Sequence, residues 1–131
     1  MTLNISEKVE SRFPTRCVKT KTGIISYRES GISNDRVIIL LHGIGSASGS
    51  WFGQLDDFSA KYHVIAWDAP GYGSSTALMQ DRPDALDYAN VFIDFLSSLK
   101  IRPYIIIGHS LGALMAGAYA ANNGAIDLAL I

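Results

Sequence analysis

Ile105-Ile106-Ile107-Gly108-His109-Ser110-Leu111-Gly112 is a run of β-branched residues that stops at a serine set between two glycines. It reads as a strand, a sharp turn and a helix. The apolar run Tyr104 to Ile107 has no polar alternation, which suits a strand covered on both faces in a parallel sheet. Leu111 to Ala121 is rich in small residues and helix formers, and Asn122, Asn123 and Gly124 supply a stop. Gly108-His109-Ser110-Leu111-Gly112 fits G-x-S-x-G in the strand–turn–helix context that this motif requires. A strand turning directly into a helix strains its middle residue, and flanking glycines remove the collisions. Ser110 is thereby expected at the carboxyl end of the sheet, hydroxyl exposed, with the Leu111 N–H at the helix start free to stabilise a developing oxyanion. The plain alternative is a structural turn with Ser110 as helix N-cap.

At 131 residues and 48% hydrophobic, the chain has the size and composition of one globular domain. A net charge of −1 without a basic stripe gives no reason to expect nucleic acid or an acidic membrane as partner. The single cysteine, Cys17, excludes an internal disulfide and points to a reducing, cytoplasmic location; it reads as a small apolar filler in an early strand. Met1 to Pro14 is polar and mixed in charge, so it is expected to be an extended segment rather than a signal peptide or membrane span.

Thr15–Thr20 and Ile24–Glu29, separated by Lys21-Thr22-Gly23, read as an antiparallel hairpin. Val37–Leu41 is a second unalternated apolar run, hence a buried parallel strand. The glycine-rich loop His42–Ser50 follows it and leads into Trp51, Leu55 and Phe58 on one face of a short helix. Lys61–Trp67 is a third parallel strand, ending in the loop Asp68–Ser75. Pro83 and Asp84 open a helix whose buried side should carry Leu86, Ala89, Phe92 or Ile93, Leu96 and Leu99. Ile126–Ile131 looks like another parallel strand. The order predicts an open, mostly parallel α/β sheet with helices on both faces and an antiparallel hairpin at one edge. A final parallel strand with an unprotected edge suggests the amino-terminal portion of a longer domain.

Three loops at strand ends, Leu41-His42-Gly43-Ile44-Gly45, Trp67-Asp68-Ala69-Pro70-Gly71-Tyr72-Gly73-Ser74-Ser75 and Gly108-His109-Ser110-Leu111-Gly112, together resemble the α/β-hydrolase fold superfamily over residues 16–131. The likeness is to its small esterase, lactonase and carbon–carbon bond hydrolase members. It implies a truncated α/β-hydrolase fold with Ser110 as nucleophile and the Ile44 and Leu111 amides as oxyanion donors. It implies supporting roles for His42, Gly43, Asp68, Gly108, His109 and Gly112, and for Trp51 packed behind the oxyanion loop. Trp51, Tyr72 and Met115 are candidates for the substrate pocket, and no cofactor or metal is called for. In this superfamily the acid and histidine follow the nucleophile, yet Leu111–Ile131 contains Asp127 and no histidine. His42, His63 and His109 all precede Ser110; His109 is expected to point away from it, and His63 to be an ordinary strand or surface residue.

The expectation is therefore a serine hydrolase of small ester, lactone or related carbonyl substrates, nearly inactive as these 131 residues alone. Two alternatives stand. One is an NAD(P)-binding Rossmann-type oxidoreductase, from Gly43-x-Gly45-x-x-x-Gly49 after a strand and Asp68 at the end of the next. The other is a non-catalytic ligand-binding protein of the same fold. The open strand edge also allows a homo-oligomer.

Overall fold

The computed structural model describes residues 2–123 and 127–131. Its elements run α1 (Ile5–Arg12), β1 (Arg16–Thr20), β2 (Gly23–Ser30), β3 (Val37–Leu41), a 3-10 turn (Ser48–Trp51), α2 (Phe52–Phe58), β4 (His63–Trp67), α3 (Ala85–Leu99), β5 (Ile105–Gly108), α4 (Leu111–Asn123) and β6 (Asp127–Leu130). The expected stop at Gly124 and strand start at Ile126 lie outside the described residues. The strands form one sheet in the order β1-β2-β4-β3-β5-β6. β1, β2 and β4 pair antiparallel, while β4, β3, β5 and β6 are parallel, so the hairpin occupies one edge of a mostly parallel sheet.

β3 explains its own unalternated sequence. All five of its residues are buried. Val37, Ile39 and Leu41 face a core built with Phe92, Phe95 and Leu96 of α3 and Met115 and Ala116 of α4. Ile38 and Leu40 face the opposite core, covered by Leu55, Phe52 and Phe58 of α2 and by Phe13. Two apolar faces require an apolar residue at every position. The largest buried rings, Trp67, Phe92 and Phe95, meet at 5.2–6.5 Å between centroids, mostly edge-on or tilted.

Several expectations need correction. Residues 1–14 are not simply extended, because Asn4 and Glu7 form a reciprocal capping box, each backbone N–H bonded by the other's side chain at 2.8 and 2.9 Å, which starts α1. α3 begins at its Asp84 cap, but Leu86 in its first turn is 46% exposed, and the buried stripe is Ala89, Val91, Phe92, Phe95 and Leu96. Strand β4 starts only at His63, since the Tyr62 N–H turns back to the Phe58 carbonyl to close α2. Tyr104 lies outside β5, stacked on Tyr62 and under the Arg36 guanidinium. Cys17 is exposed, because edge strand β1 sends Val18 into the core and its neighbour outward.

Candidate active site

β3, β4 and β5 all end on the same side of the sheet, so their three following loops converge. After β5 the chain turns at Ser110, whose φ of +56° lies in the left-handed region. A Cβ on Gly108 would sit 2.4 Å from the Gly112 carbonyl oxygen, and one on Gly112 would sit 2.1 Å from the Leu41 carbonyl oxygen. Neither position accommodates a side chain. The Ser110 carbonyl accepts from the Ala113 N–H at 2.9 Å and thereby opens α4. An N-cap serine would have an extended backbone and a hydroxyl bonded to the next turn. Ser110 has neither: among the described residues its exposed Oγ has no hydrogen-bond partner.

The loop after β3 lies against this corner. A Cβ on Gly43 would approach the Ser110 Cβ to 2.9 Å and His109 Nδ1 to 3.0 Å. Gly43–Ser46 is a tight turn, closed by Ser46 N–H to Gly43 C=O at 3.2 Å, with Gly45 at φ +75°. Among the described residues, the amides of Ile44 and Leu111 find no hydrogen-bond partner, whereas the Ser110 N–H is spent on the Ile131 carbonyl at 2.8 Å. The Ile44 side chain is 73% exposed above the turn.

His42 is a brace. It is 1% exposed, its Nε2 accepts the Ala69 N–H at 3.0 Å, and its Nδ1 lies 2.9 Å from the Gly43 carbonyl. That pairing fixes a neutral ring with its proton on Nδ1. Burial lowers its pKa below the ordinary value of 6.5, against smaller upward pulls from the Gly43 carbonyl and Asp68. Asp68 is 3% exposed; its Oδ1 accepts the Ser48 N–H at 2.8 Å and its Oδ2 the Ser26 hydroxyl at 2.6 Å. The carboxylate thus ties the glycine-rich loop to β2 and, through Ser26 to the Ser74 N–H at 3.0 Å, to its own loop.

A cleft of about 330 Å³ opens over Ser110, bordered by His42, Gly43, Ile44, Ser46, Ser50, Trp51, Gln54, His109 and Ile131. His109 borders the same cleft as Ser110, contrary to the expectation that it points away; the tight turn leaves it exposed beside Gly43. Trp51 borders the cleft. Tyr72 does not; its ring packs edge-on against His42 at 4.8 Å, and its hydroxyl lies 3.4 Å from the Gly45 N–H. Met115 is fully buried in the core. His63 sits far from the cleft at the start of β4, 2.8 Å from Glu29 Oε2. Gln54, Ser46 and Ser50 were not singled out from the sequence, where a polar residue in a loop or on a short helix carries no distinguishing pattern.

The dinucleotide alternative loses its supports here. The glycine-rich loop runs into a single 3-10 turn, Ser48–Trp51, whose first amide is taken by Asp68, and α2 begins only at Phe52, so no α-helix starts directly at the strand end to meet a pyrophosphate. Asp68 is buried with both oxygens bonded inside the protein, so it is not presented to a ribose.

A family model described as alpha/beta hydrolase fold matches residues 36–126, more than half of the chain. The chain belongs to the α/β-hydrolase fold family. Its relatives include an (E)-2-((N-methylformamido)methylene)succinate hydrolase of Acinetobacter baylyi, 38% identical over 60% of this chain and 29% of that protein. Among solved structures, a lipase candidate from Acinetobacter baumannii superposes with a TM-score of 0.86 at 23% identity, over 99% of this chain and 46% of the other. An epoxide hydrolase from an endophytic Streptomyces superposes at 0.79 with 26% identity, over 88% and 36%. The chain thus spans less than half the length of each.

Proposed function

We propose that the natural protein is a serine hydrolase of small esters, lactones or related carbonyl compounds, working through an acyl-enzyme on Ser110. The observation that carries this reading is Ser110 itself, exposed in a left-handed corner, its hydroxyl and the two neighbouring amides of Ile44 and Leu111 without partners among the described residues. Ser110 Oγ attacks the carbonyl carbon and gives its proton to a base. The carbonyl oxygen takes the negative charge and receives the Ile44 and Leu111 N–H groups. Collapse expels the leaving group, which takes the proton, and water then repeats the sequence on the acyl-enzyme to free the acid and the serine. A cleft of about 330 Å³ suits a small substrate.

His42 is unsuited as the base, since both ring nitrogens are engaged. We place the base, a histidine with its acid partner, in the part of the family's length that these residues do not span. The 131 residues alone should then retain only the residual rate that an oxyanion hole and binding provide. The chemistry asks for no cofactor or metal, and the lone Cys17 and the net charge of −1 support a cytoplasmic enzyme acting on small molecules. No helix among the described residues is long and apolar enough to cross a membrane.

A ligand-binding protein of the same fold is the second reading, favoured by the absence of any histidine hydrogen bond to Ser110 among the described residues. A fluorophosphonate probe separates the two. The natural protein should form a covalent adduct mapped to Ser110 by mass spectrometry, and Ser110→Ala should abolish it. A wild-type protein that binds carbonyl ligands but never forms the adduct would leave the binding reading standing.

A further inference from the structure

Ser48 lies four residues past Ile44 in the glycine-rich loop and is buried, at 1% exposed. Two groups hold it. Asp68 takes its backbone N–H, and Arg28 Nε donates to its hydroxyl at 3.1 Å. Arg28 belongs to β2 and its side chain is only 15% exposed. Its Nη1 donates to the Phe13 carbonyl at 2.6 Å and to Glu10 Oε2 at 2.8 Å. Glu10 is fixed in turn by the Thr15 N–H and hydroxyl, the latter at 2.8 Å. One guanidinium therefore spans α1, the residue that ends it and the loop. Val9 closes the same contact, since a Cβ on Gly49 would lie 3.4 Å from its Cγ1.

We propose that Arg28 is a positioning residue for the oxyanion turn: braced by Phe13 and Glu10, it holds Ser48, and through Ser48 the backbone that presents the Ile44 amide to Ser110. The catalytic consequence rests on the hydrolase reading above; the mechanical one does not. The geometry makes the fork, and not the charge alone, the working feature. A lysine ammonium is a single compact donor on a flexible stem and cannot occupy both ends of this bridge. α1 then serves the site from outside it, by clamping the far side of a loop whose near side faces the cleft.

The test uses the natural protein with Arg28→Met, Arg28→Lys and Ser48→Ala, followed by two readouts. Amide hydrogen exchange at Gly45, Ser46 and Ser48 should quicken by about tenfold in all three, matching the loss of one charge-assisted hydrogen bond, while Ile39 and Ile65 in the central strands stay protected. Fluorophosphonate labelling of Ser110 should slow by about tenfold in its inactivation step with little change in probe affinity, as expected for a misplaced oxyanion donor, and Arg28→Lys should not restore it. Should Arg28→Met fail to fold, Ser48→Ala removes only the far end of the bridge and is read in the same way. Loop amides that exchange as in the wild type, or full recovery of both readouts by Arg28→Lys, would overturn the proposal. A wild-type protein that the probe never labels would remove the hydrolase reading, and the exchange data would then decide the positioning role by themselves.

Discussion

Ser110 and Lys100 are the non-glycine residues with positive φ, both at 56° among the described residues, and their surroundings separate them. Lys100 ends α3, where a left-handed residue lets its N–H reach back to the Leu96 and Ser97 carbonyls. Ser110 begins a helix, and no such closure requires its conformation. A non-glycine residue there costs about 1–2 kcal/mol, which the two close backbone approaches at Gly108 and Gly112 hold in place. Ser110→Gly relieves that strain and Ser110→Ala keeps it. In urea unfolding, Ser110→Gly should be at least as stable as Ser110→Ala, by up to about 1 kcal/mol after allowing for glycine's greater unfolded-state freedom. An alanine variant clearly more stable than the glycine variant would show the corner to be relaxed. This residue was legible in the sequence because the steric demand is written as two glycines at fixed spacing. Gln54 was not, because bordering a cleft makes no demand on its neighbours.

The ends of β3 and β4 are joined by His42, which reaches from one strand's loop to the Ala69 amide of the other. The covered strands β3, β4 and β5 were readable from apolar runs because both their faces are packed. α1 was missed because its evidence is one capping box, with Val9 its buried residue. Tyr72 is a pocket candidate in the sequence, but its loop folds the ring onto His42. The same brace gives the two loops a pH response. Burial lowers the folded pKa of His42 from 6.5, so the unfolded chain binds the extra proton first. The contribution is complete above pH 6.5 and is lost as pH falls from there through the lower folded value, with a slope of up to about 1.4 kcal/mol per pH unit for one proton. Nitrogen-15 correlation spectra of the imidazole should show the neutral ring protonated on Nδ1, with a titration midpoint below 6.5. A titration midpoint at or above 6.5 would contradict the brace.

Across the whole molecule the two sheet faces are covered unequally. α3 and α4 close one face, with Phe92 and Phe95 of α3 packed on Trp67, while the other is closed by the shorter α2 with Phe13, and Ile105 and Ile107 there remain only partly buried. The sheet order was not legible from the chain, since nothing in the apolar runs dictates that β2 should pair antiparallel with β4. The edges differ as well. β1 carries Arg16 and Lys19, charges that discourage further pairing. β6 pairs with β5 on one side, and its strand carries Leu130 at 53% exposure next to Ile131 at 72%. An apolar strand whose outer backbone groups have no partner among the described residues is a template for another copy. The 131-residue chain should therefore associate in a concentration-dependent way in sedimentation velocity, and Leu130→Lys should shift it toward monomer by placing a charge on that edge. If wild type and Leu130→Lys both sediment as monomers at every concentration, the β6 edge is not an association surface.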